Sequence, residues 1–487
     1  MRQEPKAGHR SLHIENLEER TVLSANFFLA STLGQYEQWK TEQYTVGNIS
    51  IVADPQQSVG TPTTQDSQAW SLINATQAFT NYSAYRGQGY SIAVIDTGVD
   101  YTHPALAGRV LPGWDFVNND NDAMDDNGHG THVAGIIASS NTQYGGIASQ
   151  ANIIPLKVLG ANGSGSFSGV EAALQWVAAN QQRLNIVAVN MSLGAGNFQT
   201  NPYSFLENEF STLVSQGVFI AAAAGNSFYT YSSQLGLGYP AISNLVVAVG
   251  AVYDTNVGSV TWSSGARDLT TAADRITSFT QRSAGLDILA PGALITSTGR
   301  GGAWVTMAGT SMAAPVVAGA AAVIHQALDA AGRASQANQS TILSILQSTG
   351  VNVNDGDDEN DNVTNSGLNF KRLDLNAALR SVFGNTTPNP SQPPSSTSPV
   401  SRADEVQIVN APTWTIQSRE RVDSTPVQVN VNFGVSGDRA VAGDWNGDGF
   451  KKVGVFRGGW WFNDANGSLA TRGMRSASSA MDRGSST

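Results

Sequence analysis

The sequence predicts an α/β fold: a mainly parallel sheet between helical layers, with a small C-terminal β segment. Three observations predict it. Between residues 67 and 383, apolar strand-like runs alternate with helical patterns, which is βαβ rhythm. The strand-like runs are nearly continuously apolar, as expected for parallel strands covered on both faces. Finally, 50 glycines and 41% hydrophobic residues accompany a charged fraction of only 13%. That fraction is about half the roughly 25% of an ordinary soluble domain and suits a large, tightly packed interior.

Along the chain, residues 1–66 read as a leader with a short pro-segment. Their LEERTVLSA run (17–25) resembles the LEPR-type N-terminal motif of some large bacterial secreted or surface proteins. The expected location is therefore secreted or cell-surface, of bacterial type. Residues 67–384 form the main domain. Its strands are SIAVID (91–96), NIVAVNMS (185–192), GVFIAAAA (217–224) and LVVAVGAV (245–252). Its helices are HVAGIIAS (132–139), SGVEAALQWVAAN (168–180) and APVVAGAAAVIHQALDAA (314–331). The longest apolar run, 313–324, is shorter than the ~20 residues that span a bilayer and reads as a buried helix, so no transmembrane segment is expected. Residues 385–402 are a Pro/Ser-rich linker, 403–470 a β segment, and 471–487 a polar tail expected to be disordered.

Charge and cysteine content exclude some functions. Lys and Arg number 27 against 38 Asp and Glu, a net −11. That balance argues against a binder of nucleic-acid phosphates. With no cysteine, disulfides, thiolate catalysis and Cys-ligated zinc are excluded.

Three motifs carry the chemistry. AVIDTGVD places Asp96 at the end of a buried strand, NGHGTHVAG places His129 at a helix start, and GTSMAAP places Ser311 at another. Open α/β sheets bind ligands beyond the carboxyl ends of their strands, so the three can converge there. A serine hydroxyl needs a base to become a nucleophile. Histidine has a suitable pKa, and a buried carboxylate orients its ring and stabilises the imidazolium. A helix N-terminus under Ser311 favours a developing oxyanion. Pro315 falls in the first turns, where a missing N–H is tolerated. Taken singly, Asp96 fits a turn, His129 a surface residue and Ser311 an N-cap. A catalytically silent scaffold serving surface adhesion is the competing class of function.

With these motifs in Asp–His–Ser order, and with NMSLG (190–194), AAAGNS (222–227) and YPA (239–241), the chain resembles the subtilisin-like serine proteases, or subtilases. The resemblance implies the subtilisin-like three-layer fold and a secreted endopeptidase working through an acyl-enzyme. It implies Asp96 as orienting carboxylate, His129 as general base then acid, Ser311 as nucleophile and Asn226 as side-chain oxyanion donor. Ser192, Leu193 and Gly194 would pair with extended peptide. Gly194, Ala223, Ala224 and Gly238 would line the pocket before the scissile bond, and such small walls favour an apolar or aromatic residue. The implied partners are protein or peptide substrates, with no organic cofactor.

The acids cluster. WDFVNNDNDAMDDNGHG (114–130) resembles the calcium loop before the catalytic histidine in thermitase-like subtilases. The match implies calcium ligands Asp115, Asn118, Asp120, Asp122 and Met124, the last two through their carbonyl oxygens. A solvated acidic loop is the alternative. In the C-terminal segment, GDWNGDG (443–449) spaces Asp444, Asn446 and Asp448 like the front half of a calcium loop. The run around it resembles one FG-GAP-like repeat, which suggests cell-surface or matrix association.

Overall fold

The computed structural model describes residues 50–52, 67–356 and 360–384, and the backbone of six strands between 405 and 463. It divides into two units, Met1–Pro393 and Pro394–Thr487.

Apart from short 3₁₀ turns, the first unit begins β1 (Ser50–Val52), α1 (Ser67–Leu72), α2 (Ala75–Asn81), β2 (Ser91–Asp96), β3 (Trp114–Asp115), α3 (His129–Ala138) and β4 (Asn152–Lys157). Next come β5 (Ser164–Ser166), α4 (Phe167–Leu184), β6 (Ile186–Met191), β7 (Ala195–Phe198), α5 (Glu207–Ser215), β8 (Phe219–Ala223), β9 (Leu237–Tyr239) and β10 (Val247–Val252). It ends with β11 (Val260–Thr261), β12 (Arg267–Asp268), β13 (Ile288–Pro291), β14 (Ile295–Thr298), β15 (Trp304–Met307), α6 (Thr310–Ala330), α7 (Gln339–Thr349), β16 (Val351–Asn354), β17 (Asn369–Arg372) and α8 (Leu375–Phe383).

One 9-stranded sheet runs β16-β17-β13-β10-β8-β6-β2-β4-β3. Its neighbours are parallel except for antiparallel β16 and β17. Strand alternation sorts the core into two layers. Along β2, Ile92 and Val94 join the cluster that holds Val133 of α3 and Val316 of α6. Ala93 and Ile95 join the cluster that holds Val170 of α4 and Phe210 of α5. The helices therefore cover both faces, as the apolar strands imply.

Chain order places the site. From β2 the chain moves outward to β4, then returns past β2 to β6. The carboxyl ends of β2 and β6 thus flank a switch point.

Two catalytic-motif helices begin earlier than apolar periodicity suggests. Helix α3 starts at His129 rather than 132, and α6 at Thr310 rather than 314. Their first turns are polar or glycine-rich, so the periodic signal begins a turn late. Helix α6, with 21 residues, is long and apolar enough to cross a membrane by length and composition, yet it is the buried central helix of this unit.

In the second unit, β18 (Glu405–Gln407), β19 (Thr413–Ser418) and β20 (Val427–Asn432) form an antiparallel sheet. β21 (Arg439–Gly443), β22 (Lys452–Arg457) and β23 (Trp460–Asn463) form another. Asp444, Asn446 and Asp448 lie outside the described residues, as do the linker, the tail and all of the 1–66 segment except 50–52, which form β1.

Candidate active site

Asp96 is the last residue of β2 and His129 the first of α3. Both are buried, and Asp96 Oδ1 lies 2.8 Å from His129 Nδ1. The carboxylate favours the tautomer with its proton on Nδ1, which leaves Nε2 as the basic nitrogen. Thr97 N–H also donates to Asp96 Oδ1 at 2.7 Å. The approach of α3 to the end of β2 requires glycine. A Cβ on Gly130 would sit 2.1 Å from the Gly98 carbonyl oxygen and 3.2 Å from Asp96 Oδ1.

Ser311 is the second residue of α6. Its N–H belongs to the first turn, where a helix supplies no acceptor. Its hydroxyl donates to the Ser192 carbonyl oxygen at 3.3 Å, a long bond that is readily exchanged. Pro315 is the sixth residue of α6, beyond the first turn. It offers no N–H to the Ser311 carbonyl four residues earlier. The Ser192 hydroxyl takes that place, donating to the Ser311 oxygen at 2.7 Å.

Asn226 follows β8, almost fully buried. Its Oδ1 accepts from both the N–H and the hydroxyl of Thr310, each at 2.9 Å. Two donors on one atom fix which end of the amide is oxygen. Asn226 lines one cavity together with Ser311.

That cavity has a volume of about 280 Å³ and no charged side chain among its lining residues. Gly194, Ala223 and Gly238, which the sequence reading assigns to a pocket, are on its wall, and so is Leu193 of the peptide-pairing edge. Ser192 and Ala224 are not: Ser192 braces α6 and Ala224 packs in the core. The wall also includes Val52, Tyr231, Gln281 and Thr310, which sequence reasoning missed. Thr310 adjoins Ser311 in the GTS motif and was available as a signal; Val52 lies in a weakly patterned stretch.

Strand β1 reaches the cavity. It pairs antiparallel with β5, and Val52 exchanges both main-chain bonds with Gly194, each at 3.3 Å. Ile51 is fully buried in the cluster that holds Leu159, Phe167 and Leu193. The Gly194 edge thus holds an extended segment of this chain.

The Subtilase family profile matches residues 87–370, more than half of the chain. The chain belongs to the subtilase family. The thermophilic serine proteinase of Bacillus sp. (strain AK1) is 40% identical over 239 residues, 48% of this chain and 52% of that protein. This chain therefore spans about half the length of that relative. Subtilisin Savinase of Lederbergia lenta is 37% identical over 259 residues, 53% of this chain and 84% of its own length. A solved cold adapted subtilisin-like serine proteinase shares 34% identity over 55% of this chain and 84% of that chain, at a TM-score of 0.44. The family is one of serine endopeptidases, which are hydrolases, and the α/β sandwich of this subtilase is the fold that its sequence predicts.

In the acidic loop of this subtilase, Asp115 is buried and bonds the loop itself. Its Oδ1 accepts from Val117 and Asn118 N–H at 2.7 and 2.9 Å, and its Oδ2 from Asn118 Nδ2 at 2.9 Å. Asp120 is joined to Asp115 by two main-chain bonds, whereas the Asp122 carboxylate accepts the Tyr101 hydroxyl at 2.9 Å. The donors are hard oxygens suited to calcium. Asp115, Asn118 and Asp120 come together, but among the described residues no three acidic or histidine side chains form a group that could hold a metal ion. Asp355, which opens the acidic stretch DGDDENDN (355–362), is paired with buried Arg282.

The other histidines among the described residues have structural partners. His132 is buried with Nε2 at 3.0 Å from both the Ile295 and Val305 carbonyl oxygens. His103 accepts from Ala105 N–H at 3.1 Å, capping a 3₁₀ turn. His325 pairs with Asp329 at 3.6 Å.

Proposed function

We propose that this subtilase is a secreted serine endopeptidase that cleaves peptide bonds through Asp96, His129 and Ser311, with Asn226 as oxyanion donor. The observation that carries this reading is the 2.8 Å contact between Asp96 and His129 at the sheet's switch point. It accompanies the cavity that Ser311 and Asn226 line.

In this reading, His129 Nε2 takes the Ser311 proton as Oγ attacks the scissile carbonyl carbon. The carbonyl oxygen becomes an oxyanion, held by Asn226 Nδ2–H and the Ser311 N–H. His129 then protonates the leaving amine, and an ester to Ser311 remains. Water, deprotonated by His129, hydrolyses that ester and regenerates the hydroxyl. Asp96 stays ionised and stabilises the imidazolium in both halves.

Substrate is read as an extended strand on the Ser192–Gly194 edge. The pairing of Val52 with Gly194 supports this, because it shows that edge accepting antiparallel main chain. The uncharged wall of Leu193, Gly194, Ala223 and Gly238 supports an apolar or aromatic preference before the scissile bond. Secretion is supported by the LEERTVLSA run and by a relative 40% identical over 247 residues, alkaline serine exoprotease A of Vibrio alginolyticus. Structural calcium at 115–124 is part of the same reading, through Asp115, Asn118 and Asp120 with the carbonyls of Asp122 and Met124. The all-oxygen donor set supports it. The C-terminal segment is read as a surface- or matrix-associating accessory, supported by its FG-GAP-like pattern.

The test is active-site labelling. A fluorophosphonate should modify wild-type protein at Ser311 and leave Ser311→Ala unlabelled. Folded wild-type protein that resists the reagent sinks the reading.

A further inference from the structure

Asp125 is buried at 1% exposure, four residues before His129, and its carboxylate accepts five hydrogen bonds. Oδ1 accepts from the Thr97 hydroxyl at 2.9 Å, Asn127 N–H at 2.9 Å and Gly128 N–H at 2.8 Å. Oδ2 accepts from Thr131 N–H at 2.9 Å and the Thr131 hydroxyl at 2.6 Å. These donors belong to two different elements. Thr97 follows Asp96 at the end of β2, whereas Gly128 and Thr131 belong to the start of α3, which carries His129.

The Thr97 hydroxyl completes the bridge. While donating to Asp125, it accepts Gly130 N–H at 2.8 Å. Thr97 is also held from its other side, where Lys157 Nζ donates to its carbonyl oxygen at 2.8 Å. Gly128, the N-cap of α3, has no side chain to cap the helix. Asp125 supplies that acceptor from outside, with a negative charge at the positive end of the helix dipole.

We propose that Asp125 is a positioning residue for the catalytic pair. Together with the Thr97 hydroxyl, it ties the turn after Asp96 to the first turn of α3 and so fixes the 2.8 Å contact of Asp96 with His129. The inference rests on the protease reading above. Neither Asp125 nor any of its five hydrogen-bond donors is among the residues that line the cavity. Its loss therefore acts on the chemical step rather than on peptide binding. A misplacement of about 1 Å costs on the order of 100-fold in rate.

The experiment uses the full chain and one peptide substrate. Asp125→Asn turns an amide N–H toward donors on at least one side of the carboxyl site. Thr97→Val removes the bridging hydroxyl while keeping the side-chain shape. Each should lower kcat by about 10- to 100-fold, with KM within about 2-fold of wild type. Thr97→Ser, which keeps the hydroxyl, should retain most of the activity. Leu213→Ala, a buried α5 change, should lower Tm while leaving kcat near wild type below its unfolding range. The proposal is overturned if folded Asp125→Asn and Thr97→Val keep wild-type kcat. It is also overturned if their loss is an equal rise in KM, or if Leu213→Ala loses kcat to the same extent at an equal drop in Tm. Fluorophosphonate labelling of wild type separates the two readings. A labelled wild type with fully active variants overturns only the role of Asp125, and an unlabelled wild type overturns both.

Discussion

Ser192 and Ser311 clasp each other across the site: the Ser192 hydroxyl donates to the Ser311 carbonyl oxygen at 2.7 Å, and the Ser311 hydroxyl donates to the Ser192 carbonyl oxygen at 3.3 Å. The first bond exists because Pro315 cannot supply the helical one. In Ser192→Ala the buried Ser311 oxygen loses its donor, which should destabilise by about 1–3 kcal/mol. Adding Pro315→Ala provides an N–H at the right place in the helix. Urea denaturation of both single variants and the double variant checks this. Restored stability in the double variant is expected, and strictly additive losses contradict it.

The pairing of Val52 with Gly194 implies competition. Strand β1 occupies the edge where substrate is read to lie, so substrate has to displace it. A protein whose competent form is partly populated binds with reduced apparent affinity. Ile51→Asp puts a charge into a fully buried apolar site and should release the strand. KM for a peptide substrate should fall with little change in kcat. An unchanged KM would show that β1 does not compete.

Much of this was legible in the sequence, for physical reasons that differ by element. Strand β2 announces itself because parallel strands are covered on both faces, and Asp96 follows from its place at the strand end. Helix α6 is an apolar run bracketed by GTS. The role of Ser192 as a brace was not legible, because it depends on Pro315 and Ser311 lying across from it, more than 100 residues away in sequence. Strand β1 was not legible either: three residues in a polar stretch give no periodicity, and their pairing with β5 is purely tertiary. The acidic loop read as cation-binding, while the structure also gives several of its acids internal work, with Asp125 on α3 and Asp126 on Lys157.

Burial lowers the pKa of His132 to about 3, and the nearby His129 acts in the same direction. Its Nε2–H is shared between two carbonyl oxygens, so the neutral ring is the form that fits. In the unfolded chain the ring protonates near its ordinary pKa of about 6.5. Between those values the unfolded state binds more protons, so this contribution to stability is present above about pH 6.5 and falls away toward pH 3. Asp254 and Asp287, each raised to about 6 by burial, act with opposite sign. The check is therefore a difference between proteins. His132→Gln should flatten the fall in Tm between pH 6.5 and pH 4 relative to wild type, and parallel profiles would contradict this assignment.

Calcium binding at 115–124 predicts a melting temperature that depends on the ion. A ligand at about 100 times its Kd adds about 2.7 kcal/mol. Millimolar calcium should raise Tm over a chelated sample, and Asp115→Asn should remove most of that rise. Identical Tm values with chelator and calcium would refute the site.

Asn226 offers the sharpest division between binding and chemistry. Its Oδ1 is committed to Thr310 through two 2.9 Å bonds, so the side chain is held before substrate arrives. A preorganised donor contributes most where charge develops, in the transition state. Asn226→Ala should therefore lower kcat by about 10²–10³ while KM stays close to wild type. It also strips Thr310 of its acceptor, so part of any loss could come from a loosened start of α6. Thr310→Val separates the two effects, because it keeps Asn226 and its Thr310 N–H bond while removing only the hydroxyl bond. A much smaller loss of kcat in Thr310→Val than in Asn226→Ala assigns the larger effect to the oxyanion contact. Equal losses in the two variants would assign it to the helix start instead.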